Sequence, residues 1–240
     1  MQAVVFREPY AVAVEDVPKP SVKPYDVLIR VESAGVCGTD IHLMEGGYEP
    51  KYPLIPGHEF AGVVVEVGPG VTSCKPGDHV TVDPNLYCDR CYYCRRDMQN
   101  HCEAWEAIGV TLPGAFAEYV AVPEASVHHI GSLTFTEGAF VEPLSCVVYG
   151  QRRARVRMGD SVLIHGAGPI GLLHLQMAKH SGCANVTITD LRPERLDLAK
   201  QLGADYVLHA GEADVDGALR EIEPRGFDVV IDATGVPAAV

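Results

Sequence analysis

The sequence predicts a two-domain α/β protein, a mainly β half followed by a doubly wound parallel sheet built from βαβ units. Three observations carry this expectation. Up to about residue 130 short apolar runs are cut by turns, and from residue 161 apolar runs alternate with helical stretches. The first of those later runs ends in a glycine-rich turn that opens a helix, Gly166-Ala167-Gly168-Pro169-Ile170-Gly171.

In the first half, "DVLIRV" brings Val27, Ile29 and Val31 to alternate positions, and "AGVVVEVGPGV" and "GDHVTV" follow as further strands. A helix is expected over 137–154, running into the stretch "VYGQRRARVRMGD" that joins the two halves near residue 150. The second half reads as strands "SVLIHGAG", "NVTITD", "DYVLHA" and "FDVVIDATG", separated by helices at 169–181, 193–202 and 213–223. The expected domains are therefore 1–150, with a cysteine-rich lobe at about 85–105, and 151–240.

With 240 residues and 47% hydrophobic content, the chain can bury a substantial core. Its formal charge of -13 sets the long-range field against nucleic acid and anionic membranes. No basic-then-apolar leader opens the sequence, and no apolar run approaches the roughly 20 residues needed to span a bilayer. These features point to a cytoplasmic protein with a small-molecule partner, no nucleic acid and no membrane.

The glycine turn carries the first chemical signal. Gly166 would permit a tight turn, Gly168 would let a pyrophosphate approach the backbone, and Gly171 would let helix and strand pack closely. Pro169 and Ile170 open the helix, whose N-terminus offers N–H groups and a positive dipole end to phosphates. Asp190 ends the next strand, nineteen residues beyond Gly171, where a carboxylate can accept from the adenosine ribose and repel a 2′-phosphate. NAD is thus expected over NADP, with Arg192 and Arg195 as the residues that could instead favour a phosphate.

Cys88, Cys91, Cys94 and Cys102 follow the spacing C-x2-C-x2-C-x7-C, which suits four thiolates around one zinc ion. Such a shell is full, so it braces a loop and leaves no position for a substrate. A redox Cys-x-x-Cys pair would not need the third and fourth cysteines. A second set is scattered: Cys37 in "GVCGTDIH", His58 and Glu59 in "PGHEFAG", and Glu142 in "FVEPLSC". Singly, each of these has an ordinary structural explanation as a buried thiol, a core imidazole or a surface carboxylate. Together they make a mixed thiolate, imidazole and carboxylate shell of the kind that serves catalysis.

"GVCGTDIH", "GHEFAGVVVEVG", the four-cysteine lobe, "EPLSC" and "GAGPIGLL" occur in the order found in zinc-dependent medium-chain alcohol dehydrogenases, which the sequence resembles over essentially its whole length. The resemblance implies a GroES-like β domain followed by a Rossmann NAD-binding domain, with substrate in the cleft between them. It implies a catalytic zinc held by Cys37 and His58, with Glu59 and Glu142 as carboxylates that bind the metal or exchange with water, and a structural zinc in the lobe. By the same resemblance Thr39 passes the alcohol proton inward and His42 hands it to solvent, while Arg195 contacts the cofactor ribose or adenine. It also implies a C-terminally incomplete copy, since "IDATGVPAAV" ends near the fourth Rossmann strand, and a homo-oligomer, dimer or tetramer.

Glutamate at 142 resembles the sorbitol and polyol dehydrogenase branch, so the expected reaction is hydride transfer from a polyol or secondary alcohol to NAD, giving a ketone. Threonine and butanediol dehydrogenases are the alternatives within that reading. Outside it stand a zinc-binding nucleic-acid module using Arg95 and Arg96 beside Tyr92 and Tyr93, and a noncatalytic dinucleotide-binding protein of the same fold. Tyr48, Trp105 and Tyr119 are candidate substrate-lining aromatics, and Cys146 follows "EPLS" closely enough to lie near the nicotinamide.

Overall fold

The computed structural model describes residues 1–48, 50–212 and 214–236. Ala213, the expected first residue of the third helix in the second half, lies outside the described residues, as do residues 237–240 of "IDATGVPAAV". Two compact units divide the chain, Met1–Glu142 and Pro143–Val240. No helix among the described residues is long and apolar enough to cross a membrane.

The first unit begins with a hairpin of β1 (Gln2–Glu8) and β2 (Ala11–Asp16). There follow β3 (Asp26–Gly35), the short helix α1 (Gly38–Met44), β4 (Glu59–Val67) and β5 (His79–Val82). The two-residue strands β6 (Asn85–Leu86) and β7 (Glu106–Ala107) pair at the base of the cysteine lobe, ahead of β8 (Tyr119–Pro123) and β9 (Val127–His129). An antiparallel sheet runs in the order β8-β3-β4-β5-β9.

Val27 and Ile29 pack with Phe60, Val64, Val80 and Val122 in one core. Leu28 is buried as well, so β3 starts covered on both faces, and exposure alternates only from Arg30 onward. The simple alternation expected for "DVLIRV" therefore fails over Val27, Leu28 and Ile29, where both faces of β3 are covered.

The expected single helix over 137–154 is two helices, α2 (Phe135–Ala139) and α3 (Val141–Ala154). Thr134 starts the first one early through a capping box, its hydroxyl accepting from the Glu137 N–H at 3.3 Å while Glu137 accepts from the Thr134 N–H at 2.8 Å. Pro143 explains the break, because it has no N–H to donate to the Ala139 carbonyl four residues back.

In the second unit β10 (Ser161–His165), α4 (Pro169–His180), β11 (Asn185–Asp190) and α5 (Pro193–Gln201) alternate as expected. They continue into β12 (Tyr206–His209), α6 (Val215–Ile222) and β13 (Val229–Asp232). All the pairings are parallel and the order is β12-β11-β10-β13, the 3-2-1-4 arrangement of a Rossmann sheet. Val162, Ile164, Leu175, Val186, Ile188 and Ala199 fill the core between this sheet and its helices. His165, Asp190, His209 and Asp232 stand at the carboxyl ends of their strands, where open parallel sheets bind ligands.

Candidate active site

The glycine turn between β10 and α4 has three distinct geometries. Gly166 has φ +94°, a left-handed conformation that glycine alone adopts cheaply. A Cβ at Gly171 would collide with the Gly166 carbonyl oxygen, so helix and turn touch there. At Gly168 the nearest atom to such a Cβ is the Arg195 Nη1 at 4.0 Å, which leaves this side of the turn open for a phosphate. Pro169 takes the first helical position and contributes no N–H, so Ile170 is the first residue of the helix with one to offer.

Asp190 is 8% exposed, and its carboxylate faces this turn. One oxygen, Oδ2, accepts from the Ala167 N–H at 2.8 Å and lies 3.5 Å from the Arg195 guanidinium; the other, Oδ1, accepts from the Arg192 N–H at 2.8 Å. Burial alone would raise this carboxyl, but the two amides and Arg195 outweigh it and hold it below the usual carboxylate range.

The four lobe cysteines are brought together. Their sulfur atoms all lie within 4.8 Å of one another, with 3.5 Å between Cys91 and Cys94 and 4.0 Å between Cys88 and Cys94. A tetrahedron with Zn–S bonds of about 2.3 Å has edges of about 3.8 Å, so these separations suit a shared ion and exceed any disulfide. Backbone amides of Cys94 and Glu103 stabilise the Cys91 thiolate and pull its titration down to about 6, whereas burial pushes the Cys94 thiol up to about 12.

A second group of donors forms in the same unit. Cys37 caps α1, while His58 and Glu59 lead into β4, and one donor atom from each lies within 4.8 Å of the other two. Glu59 pairs across the sheet with Gly35, where a Cβ would strike the Glu59 carboxylate; the missing side chain makes room for it. Glu142 is half-buried in the first turn of α3 and is not one of the three.

Asp40 organises this group and was not singled out by sequence reasoning. It is 2% exposed; Oδ2 accepts from the Cys37 N–H at 2.8 Å, and Oδ1 accepts from the Gly57 N–H at 3.3 Å and lies 3.6 Å from His58 Nδ1. That last separation exceeds a hydrogen bond, so His58 Nδ1 is buried without a hydrogen-bond partner among the described residues. Burial disfavours a charged His58, yet Asp40 and Cys37 overcome this and push the imidazole up to about 10. Burial also raises Glu59, against His58 and Cys37, which lower it. A half-buried thiol, a buried imidazole and a half-buried carboxylate, with the buried Asp40 carboxylate behind them, favour a cation, and the donor types suit zinc. The signal available in the sequence was the aspartate three residues after Cys37, in the first turn of a short helix.

Thr39 and His42 stand three residues apart on α1, hence on one face, with Thr39 half-buried and the His42 side chain 61% exposed. Tyr48 meets the His42 ring edge-on at 5.9 Å. The other two candidate aromatics are engaged elsewhere in the unit: Trp105 donates its N–H to Asn85 at 3.0 Å, and Tyr119 carries the Lys19 ammonium 4.2 Å from its ring centroid.

Comparison with known proteins places these features. An alcohol dehydrogenase GroES-like domain matches residues 23–132, and a zinc-binding dehydrogenase domain matches residues 169–240. D-arabinitol dehydrogenase 1 of Uromyces fabae is 39% identical over all of this chain and 70% of its own length. L-threonine 3-dehydrogenase of Streptomyces coelicolor is also 39% identical, over 94% of this chain and 67% of its own length. A zinc-binding dehydrogenase of Sinorhizobium meliloti 1021, solved with NADP bound, superposes with a TM-score of 0.94 at 36% identity, covering 99% of this chain and 71% of that one. The two domain matches and relatives of 39% identity, beside a four-thiolate lobe, a separate mixed donor group and a glycine-rich turn, show that the chain belongs to the zinc-dependent medium-chain alcohol dehydrogenase family.

Proposed function

We propose that this protein oxidises a secondary alcohol bearing a neighbouring polar group, with a polyol as the leading substrate, and passes the hydride to NAD. The observation that carries this reading is the donor group of Cys37, His58 and Glu59, which stands apart from the saturated four-thiolate cage. When bound, zinc supplies Lewis-acid polarisation of the alcohol oxygen and NAD supplies the hydride acceptor.

The chain's own residues do the rest. Cys37 and His58 hold the metal, with Glu59 or Glu142 as the carboxylate that completes or exchanges the shell. Asp40 fixes the Cys37 backbone by a hydrogen bond and sets its charge 3.6 Å from the His58 ring, behind the imidazole that would bind the metal. Thr39 accepts the substrate proton and His42, exposed at the end of the same helical turn, releases it to water. The open face of the turn at Gly168 receives the pyrophosphate, Asp190 reads the adenosine ribose, and Arg195 contacts the same ribose or the adenine. The acidic charge of Asp190 disfavours a 2′-phosphate, which supports NAD. Cys88, Cys91, Cys94 and Cys102 hold the structural zinc.

Equal identity to an arabinitol and a threonine dehydrogenase supports L-threonine as the second substrate reading. Both named substrates carry a secondary hydroxyl next to a second heteroatom. NADH formation with sugar alcohols, L-threonine, 2,3-butanediol and a simple primary alcohol, each with and without a chelator, separates them. Chelator-sensitive turnover of the sugar alcohols supports the proposal, preference for L-threonine favours the second reading, and metal-independent or absent NADH formation with every alcohol refutes both. We further propose a cytoplasmic homo-oligomer, a dimer or tetramer, to be tested by fractionation and sedimentation.

A further inference from the structure

The Asp190 carboxylate is already committed within the protein before any ribose arrives. Two consecutive amides of the phosphate turn are tied to β11: the Gly166 N–H donates to the Thr189 carbonyl at 2.8 Å, and the Ala167 N–H donates to Asp190 Oδ2 at 2.8 Å. The first tie is backbone and survives any substitution. The second depends entirely on one side chain, is buried, and sits one residue before Gly168, where the turn is open. Meanwhile Asp190 Oδ1 is held by the Arg192 N–H, so the carboxylate cannot rotate away without losing both amides.

We propose that Asp190 is a positioning residue for the pyrophosphate turn, so that cofactor choice at the ribose and phosphate binding at the turn are coupled through a single carboxylate. This rests on the reading of the glycine turn as the dinucleotide site. Removing the carboxylate to admit a 2′-phosphate also releases the buried Ala167 N–H, and an amide left unpaired in the interior shifts until it finds a partner. The turn then presents its open side in several geometries instead of one. A substitution at 190 alone therefore weakens NAD and fails to yield a tight NADP enzyme, because both cofactors need the same turn.

The test separates the ribose from the turn with two probes, NAD and reduced nicotinamide mononucleotide, which has a phosphate but no adenosine ribose. Affinities are measured for wild type, Asp190→Ala and Asp190→Asn, alongside hydrogen exchange at the Ala167 amide. In Asp190→Ala the mononucleotide is expected to bind roughly tenfold more weakly, and NAD roughly ten- to a hundredfold more weakly, as for loss of a charged hydrogen bond. Ala167 exchange should quicken in the same variant. Asp190→Asn keeps one acceptor oxygen, which serves the Ala167 N–H only with its amide nitrogen turned against the Arg192 N–H, so it is expected to restore part of the Ala167 protection and mononucleotide affinity, and it also covers the case of an unstable alanine variant. NAD weakened with the mononucleotide unchanged, or Ala167 exchange unchanged in both variants, would overturn the brace alone. Wild-type protein that binds neither probe would overturn the dinucleotide reading and the proposal with it.

Discussion

Removing one lobe thiolate, by Cys88→Ala, should open the lobe while leaving the rest of the first unit folded. Between Tyr87 and Glu106 the buried residues are Cys94 and Cys102, both of them donors in the four-sulfur group, so the segment has no apolar core of its own. Structural zinc contributes about 10–16 kcal/mol in small peptides. If the four thiolates share that roughly equally, losing one costs about 3 kcal/mol, which is on the order of a hundredfold in the population of the open lobe. Arg90, Arg95 and Arg96 are exposed within it and are cleavable once the backbone opens. Cleavage of a transiently opened segment follows the open population when opening is fast. Limited trypsin digestion should thus cut Cys88→Ala at the lobe about a hundredfold faster than wild type, with chelator, which removes the whole ion, opening wild type at least as fast. Cys37→Ala should digest as wild type does. A lobe that stays resistant within twofold after loss of Cys88, or a Cys37→Ala lobe that opens equally, would refute the division between bracing and reactive sites.

Asp40→Asn should weaken zinc at the second group about ten- to a hundredfold, read by competition with a chromophoric chelator, because it removes the charge behind His58. Gly35→Ala places a methyl against the Glu59 carboxylate and should lower kcat without changing zinc in the lobe, measured by steady-state kinetics and metal content. Gly171→Ala, forced against the Gly166 carbonyl, should destabilise the second unit by about 1–3 kcal/mol in chemical denaturation and abolish NAD binding. The pH profile follows from Asp190, whose folded titration lies below the unfolded one. Its stabilisation is present in full above the usual carboxylate range and is lost as pH falls through that range to the folded value. Urea denaturation across acidic pH should show this limb in wild type and its reduction in Asp190→Asn; equal slopes would contradict it.

Features that depend on neighbouring residues were legible in the sequence. The strand, glycine turn and helix at 161–180 follow one another without long-range help, and the roles expected for Gly166, Gly168 and Gly171 match a positive φ, an open face and a close approach. Cys88, Cys91 and Cys94 are near in sequence, so their convergence needed only a short loop and Cys102 to return to it. His58 and Glu59 are adjacent, and Cys37 reaches them because β3 and β4 pair with Gly35 opposite Glu59. Interactions that cross the chain were harder to see. Asp40, not singled out in the sequence, gains a role only when folding sets its oxygens against the Cys37 and Gly57 amides and near His58, and Asp190 reads as a ribose ligand until its bond to Ala167 is visible. The break between α2 and α3 was written in Pro143, which the single helix expected over 137–154 passed over.

On this reading two cations sit in one chain, at separate places and with separate tasks. Zinc per chain, counted by native mass spectrometry for wild type, Cys37→Ala and Cys88→Ala, tests it most directly. The expected result is two ions in wild type, one in Cys37→Ala, whose protein is folded and inactive, and one in Cys88→Ala once a competing chelator strips the weakened lobe. A single ion in wild type, or loss of both ions on replacing Cys37 alone, would contradict the account.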